Sequence, residues 1–179
     1  MVRPNILFIL ADDLGFGDVS LHGSRQIPTP HIDALAAGGL NLINYRTMPV
    51  CSPTRASILS GRHAIHHGVY LPFARGSANR LGLEYTLLPQ YLQNLSYDTF
   101  LVGKWHLGQN EAAALPIHRG FDHTYGYWTG AEDHYTHQAP QHQGHYDFAD
   151  GMKTCFAANG TYGTDLFVRR AVAIIGNRS

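Results

Sequence analysis

A chain of 179 residues that is 44% apolar and 15% charged can bury a real core as one soluble globular unit, which sets aside a disordered or fibrous chain. Its 13 Lys and Arg balance its 13 Asp and Glu, so no bulk field draws it to nucleic acid or to an anionic membrane surface, and any anion binding must be local. Its two cysteines, Cys51 and Cys155, do not amount to a disulfide framework, and Cys51 has a better use than pairing.

In chain order, residues 6–11 form a continuous apolar run with β-branched and aromatic members, too short to span a bilayer. The pattern predicts a strand buried on both faces of a parallel sheet. It ends at Asp12-Asp13-Leu14-Gly15, the carboxyl end where open α/β sheets place their ligands. Residues 29–38 carry helix signals, with Thr29 as N-cap, Pro30 first and Gly38 or Gly39 as terminator, and a short strand is predicted over 40–45. Next comes Cys51-Ser52-Pro53-Thr54-Arg55, predicted to open a helix with Ser52 as N-cap, Pro53 at the first helical position and Gly61 at the exit. A turn-rich stretch over 61–82 holds His63, His66 and His67. Thr86 caps a predicted helix to about residue 95, and a strand over 97–102 leads into Gly103-Lys104-Trp105-His106-Leu107-Gly108. From 115 to 163 the sequence is rich in Gly, His, Tyr and Gln without periodicity, and reads as long loops and short strands. A last amphipathic helix over 165–175 offers Leu166, Phe167, Val168, Ala171, Val172 and Ile175 to the sheet. With no repeat and no dividing linker, the order of elements favours an α/β fold with a largely parallel sheet flanked by helices.

Three places in this order carry chemistry. Cys51 sits at a helix mouth, where free backbone N–H groups and the positive helix end collect an anion, with the fixed forked charge of Arg55 one turn on. By itself an Asp-Asp pair reads as a strand end and turn cap; beside Cys51, Asp12 and Asp13 read as two carboxylates whose repulsion a hard divalent cation relieves. Lys104 and His106, taken as two apart on an extended segment, point to one side, where an ammonium and an imidazole serve cleavage of a charged ester. The bland alternative for that pair is a solvated Lys and a packing His. The histidines at 118, 123, 134, 137, 142 and 145 fit no standard zinc spacing and read as loop or surface residues. Tyr125, Tyr127, Trp128 and Tyr135 suit stacking on a sugar or aryl group and core packing equally.

At these residues the chain resembles the type I sulfatases. The likeness rests on Pro4-Asn5-Ile6, Asp12-Asp13-Leu14-Gly15, Thr29-Pro30-His31-Ile32-Asp33, Cys51-Ser52-Pro53-Thr54-Arg55 with Ser60-Gly61-Arg62, Gly103-Lys104-Trp105-His106-Leu107-Gly108 and Arg119-Gly120-Phe121-Asp122. Leu21-His22-Gly23-Ser24 and the segment from Gly126 to Tyr135 are most similar to the arylsulfatase B group. The resemblance implies an alkaline-phosphatase-like fold and a Cys51 oxidised to formylglycine by a formylglycine-generating enzyme. It further implies a calcium ion held by Asp12, Asp13 and the modified Cys51, with the hydrate of that residue as nucleophile. Arg55 would hold the hydrate, Lys104 bind the sulfate, and His106 contact the second hydroxyl and help expel sulfate. A gem-diol offers one oxygen to attack sulfur and another to release it, a route closed to an unmodified thiol.

The chain also departs from the family pattern. The family's later half supplies an Asp-Asn metal pair, another histidine and a second sulfate-binding lysine, and after His106 no Asp-Asn pair occurs here. Residues 1–179 are thus expected to be the amino-terminal part of a catalytic domain, an incomplete or truncated one. The expected activity is hydrolysis of aryl or carbohydrate sulfate esters, on a sulfated small molecule or glycosaminoglycan. The alternatives are a truncated, non-catalytic paralogue and a phosphoester or phosphonate hydrolase of the same superfamily. No signal peptide is visible, yet Asn94-Leu95-Ser96, Asn159-Gly160-Thr161 and Asn177-Arg178-Ser179 fit glycosylation acceptors, so the intact protein is expected to be lysosomal or secreted.

Overall fold

The computed structural model describes residues 3–139 and 145–177. The chain divides into two compact units, Met1–Thr47 and Met48–Ser179.

In the first unit, helix α1 (Pro30–Ala37) follows Thr29, as the sequence predicts. The Thr29 hydroxyl, however, does not cap it. Thr29 and Ser20 exchange hydrogen bonds, Ser20 N–H to Thr29 Oγ1 at 2.9 Å and Thr29 N–H to Ser20 Oγ at 2.8 Å. Asp33 on the helix accepts from Thr29 Oγ1 at 3.1 Å and from the Leu21 amide at 3.0 Å, which ties the preceding turns to α1. The strands predicted over 6–11 and 40–45 do not form: both segments lack regular structure. Ile6, Leu7, Phe8 and Ile9 are 61–75% exposed, and Leu40 is 85% exposed. An apolar run signals that a segment suits burial on two faces, but a strand exists only when neighbours supply its hydrogen bonds and cover. Among the described residues nothing pairs with either run.

The second unit holds α2 (Cys51–Ser60), α3 (Ala64–His67), α4 (Leu88–Asn94), β1 (Phe100–Lys104), β2 (His123–Tyr127), β3 (Ala149–Asp150), β4 (Lys153–Thr154) and α5 (Gly163–Gly176). The sheet runs in the order β1-β2-β3-β4. Its longest pairing, β1 with β2, is parallel over five residue pairs, while the short β2-β3 and β3-β4 pairs are antiparallel. The strand begins later than the predicted 97–102 because the chain before it is committed elsewhere. Thr99 donates from its hydroxyl to the Gly120 carbonyl at 2.6 Å and from its amide to Asp122 at 2.9 Å. Gly103 faces Gly126 in the register, and a Cβ on Gly126 would lie 2.2 Å from the Gly103 carbonyl oxygen, so the close approach of the two strands needs glycine there.

One core cluster joins Ala56 of α2 to Val69, Leu81, Leu87, Trp105, Leu107 and Phe121. The Trp105 indole, 1% exposed, donates to the Gly108 and Ala114 carbonyls, which satisfies its one polar atom inside the core. A second cluster packs Tyr125, Phe148 and Ala158 with Leu166 and Phe167 of α5. Here the expectation is corrected in part: Val168, Val172 and Ile175 are more than half exposed. They lie on their own stripe at i, i+4 and i+7, and α5 packs by the stripe beside it. Helix α4 forms as predicted, with Leu87 rather than Thr86 at its N-cap and the Gln90 side chain accepting from the Leu87 amide at 2.8 Å.

Candidate active site

Helix α2 starts one residue before the predicted cap. Val50, in extended conformation (φ −141°, ψ 168°), is the N-cap, and Cys51 is the first helical residue. Pro53 falls at the third helical position, still in the first turn, where an N–H would have no partner within the helix. The first closed helical bond runs from the Thr54 amide to Val50 O at 3.1 Å. Gly61 ends the helix in the left-handed region at φ 65°, as predicted. Cys51 is a half-buried free cysteine at the positive end of this helix, and Cys155 is also free.

Ser52 is released from capping and does something else. Its hydroxyl, fully buried, donates to the His106 carbonyl at 2.9 Å and accepts from the Phe73 amide at 3.1 Å. One turn on, Arg55 Nη1 donates to the Lys104 carbonyl at 2.6 Å. Two side chains of one helix therefore hold the carbonyls of residues 104 and 106, and this draws Cys51, Arg55, Lys104 and His106 into one neighbourhood. The sequence placed Lys104 and His106 on a single extended segment. In fact β1 stops at Lys104, and His106 has φ 59°, a left-handed conformation that non-glycine residues adopt at a cost. Strand alternation thus does not relate the two side chains; the α2 contacts and the continuing bonds of the Trp105 and His106 amides to Tyr127 O and Trp128 O do. The His106 ring is buried, and its Nε2 lies 2.9 Å from the Phe73 carbonyl oxygen.

Asp12 and Asp13 belong to the first unit and are exposed there. Asp13 adopts φ 60°, so the adjacent carboxylates sit at a backbone kink rather than on a strand end. Their oxygens suit a hard cation such as calcium but supply only part of the six to eight ligands it takes. Among the described residues no group of three or more His, Cys, Asp or Glu is arranged to hold a metal. The donor chemistry fits a share of a calcium shell.

Other expectations resolve into packing. Tyr125 is buried edge-on against Phe148, with the Arg170 guanidinium 3.9 Å above its ring, and Tyr127 packs on Phe167. Trp128 leans on the first core cluster and also lines a cavity of about 410 Å³ with Arg75, Gln109, Thr129, His145 and Asp147. Tyr135 is exposed and rests against Tyr162.

Among the histidines, His142 lies outside the described residues. His137 is not a surface residue: it is fully buried, with Nδ1 3.2 Å from Glu132 Oε1 and Nε2 donating to the Ala158 and Thr161 carbonyls. Burial, with help from Asp147 and Asp133, pushes the Glu132 carboxyl up to about 8. Neither Glu132 nor the partners of Ser52 carry a sequence signal, since each depends on contacts between segments far apart in the chain.

The family model described as Sulfatase matches residues 4–179. Arylsulfatase J of Mus musculus is 40% identical over 177 residues, covering 97% of this chain and 29% of its own length. Arylsulfatase A of Homo sapiens is 43% identical over 124 residues, 66% of this chain and 24% of its own. The chain thus spans less than a third of the curated relatives it matches. Among solved structures, that of Ps i-CgsB superposes with a TM-score of 0.82 at 30% identity, over 99% of this chain and 42% of that one. The structure of BT4656 in complex with its substrate D-glucosamine-2-N,6-O-disulfate gives 0.77 at 27% identity, over 99% and 32%. The mixed α/β fold is accordingly part of the alkaline-phosphatase-like sulfatase domain, and the chain belongs to the sulfatase family.

Proposed function

We propose that this chain is the amino-terminal portion of the catalytic domain of a sulfuric ester hydrolase, acting on aryl or carbohydrate sulfates. The observation that carries the reading is the tie between the Cys51 helix and the end of β1, through Arg55 to Lys104 and Ser52 to His106. It ties the backbone at Lys104 and His106 to the helix that opens at Cys51, which supports a reading in which a cysteine, a guanidinium, an ammonium and an imidazole serve an anion that must be held and then cleaved. The exposed apolar run at residues 6–9 supports an incomplete domain, since the segment has the composition of a strand and lacks the cover a strand needs.

Cys51, oxidised to formylglycine by a formylglycine-generating enzyme, would supply the attacking oxygen, and Asp12 and Asp13 would offer carboxylate oxygens to a calcium ion, which would supply positive charge. The chain's own residues do the rest. Arg55, its guanidinium fixed by the Lys104 carbonyl, orients the residue-51 side chain. Lys104 neutralises sulfate oxygens as negative charge moves toward the leaving group. His106 holds or moves a proton at the imidazole nitrogen that does not face Phe73. The cavity beside Trp128 offers an aromatic face for a sugar or aryl ring, bordered by Arg75 and Gln109.

An Asn94 and an Asn159 exposed at glycosylation triplets support a secreted or lysosomal route for the intact protein. Among the described residues no helix is long and apolar enough to cross a membrane. The deciding experiment expresses the full reading frame with a formylglycine-generating enzyme and compares sulfate and phosphate esters of one aryl alcohol. Sulfate turnover with aldehyde mass at residue 51 is expected; faster phosphate turnover, or a persistent Cys51 thiol with unchanged activity, overturns the reading.

A further inference from the structure

Ser52, Phe73 and His106 close a cycle of hydrogen bonds. The Phe73 amide donates to Ser52 Oγ at 3.1 Å, Ser52 Oγ donates to the His106 carbonyl at 2.9 Å, and the His106 ring returns to the Phe73 carbonyl at 2.9 Å. Three segments that are 21 and 33 residues apart in the chain are locked by it. The direction of the cycle is fixed by chemistry. A carbonyl only accepts, so the Nε2 facing Phe73 carries a proton, and in the neutral ring Nδ1 is then the acceptor. The Ser52 hydroxyl has one proton; giving it to His106 O leaves its lone pairs for the Phe73 amide.

A second contact limits where the ring can lie. A Cβ on Gly130 would stand 2.7 Å from His106 Cε1 and 2.8 Å from Nε2, closer than real Cβ contacts come. The ring therefore rests directly on the Gly130 backbone. His106 itself is held at φ 59°, a conformation that persists only where surrounding contacts over-determine it.

We propose that Ser52 is a positioning residue for His106: through the Phe73 backbone it fixes which ring nitrogen carries the proton, while Gly130 provides the bare floor that lets the ring reach Phe73. The assignment rests on the sulfatase reading for its consequence in catalysis, but not for its geometry. Losing the hydroxyl leaves a part-buried amide and a buried carbonyl without their partner and frees the Phe73 carbonyl to move away from the ring. Adding a methyl at Gly130 displaces the ring while leaving the hydroxyl in place.

The test has two arms. In the first, the chain labelled with 15N-histidine is read by two-bond nitrogen–proton correlation at a pH where the His106 ring is neutral. The parent is expected to show the Nε2–H form, Ser52→Ala and Gly130→Ala a mixture of both forms, and Ser52→Thr, which keeps the hydroxyl, the parent pattern. In the second, the same variants in the full reading frame are assayed on an aryl sulfate. Ser52→Ala and Gly130→Ala are expected to lower kcat about ten- to a hundredfold with KM within about threefold, and Ser52→Thr to recover most of it. A parent-like ring in Ser52→Ala, or a Ser52→Thr that restores folding but not the ring pattern, overturns the proposal. Absence of sulfatase turnover in the parent would sink the functional reading alone, because the ring-nitrogen arm is read without substrate.

Discussion

Arg55 Nη1 lies 2.6 Å from the Lys104 carbonyl oxygen, so the helix that opens at Cys51 and the strand that delivers Lys104 are joined by a charge-assisted hydrogen bond. The guanidinium thereby serves two ends at once: one N–H is committed to the backbone, and the rest of the fork keeps its charge near the helix mouth. A lysine there has charge but no fork. Arg55→Lys in the full reading frame should keep the fold, with a melting temperature within a few degrees, and lower kcat/KM on an aryl sulfate at least about tenfold, with Arg55→Ala lower still. Parent-like turnover in Arg55→Lys would remove Arg55 from the site.

The burial of the Glu132 carboxyl makes the stability of the second unit depend on pH. His137 Nε2 donates to two carbonyls, and its Nδ1 lies 3.2 Å from Glu132 Oε1, so the carboxyl is enclosed beside a buried ring. The Glu132 carboxyl titrates near 8 in the fold, from burial first and then the neighbouring Asp147 and Asp133, against an ordinary 4.5. Below about 4.5 both folded and unfolded chains are protonated, and the stabilisation is fully present. Between about 4.5 and 8 the folded chain keeps a proton that the unfolded chain releases, so stability falls as pH rises through this window. Melting curves should drop by about 5 °C or more from pH 5 to pH 8, and Glu132→Gln, which cannot titrate, should flatten the slope. An unchanged slope in that variant would falsify the assignment.

Arg119 is 2% exposed and donates to the Leu81, Gly82 and Tyr85 carbonyls at 3.0–3.3 Å, pinning the loop before α4 to the segment before β2. Arg119→Ala strands those three acceptors and should destabilise by about 3 kcal/mol, roughly 9 °C in melting temperature. Arg119→Lys reaches fewer of them and should fall between. A calorimetric melt of each variant decides it, and a loss below about 1 kcal/mol for the alanine would show that water replaces the guanidinium.

Gly126 sits at φ 149° against the Gly103 carbonyl, with no room for a side chain. Gly126→Ala should separate β1 from β2 and unsettle Lys104 with them, giving a drop of about 10 °C or more, or aggregation on expression. Soluble protein with a parent-like melt would mean that the strand pair tolerates a shift in register.

What the sequence determined by itself is local structure: the Cys51 helix with its Gly61 exit, α1 after Thr29, α4, and the apolar half of α5 that packs. Caps, proline and glycine act within a few residues, so their signals survive without a fold. Strands were less legible. Residues 6–9 have the composition of a core strand and remain 61–75% exposed, because a strand is completed by partners and not by its own pattern. The relation between Lys104 and His106 was also beyond the sequence, which implied an extended segment where the chain turns at φ 59°. Only the tertiary structure could show that Ser52 leaves the helix cap for His106, that Gly130 supports the ring, and that His137 is buried on Glu132. Each joins segments distant in the chain, and whether a polar side chain caps its own helix or clamps another strand is decided by what burial brings within hydrogen-bond reach.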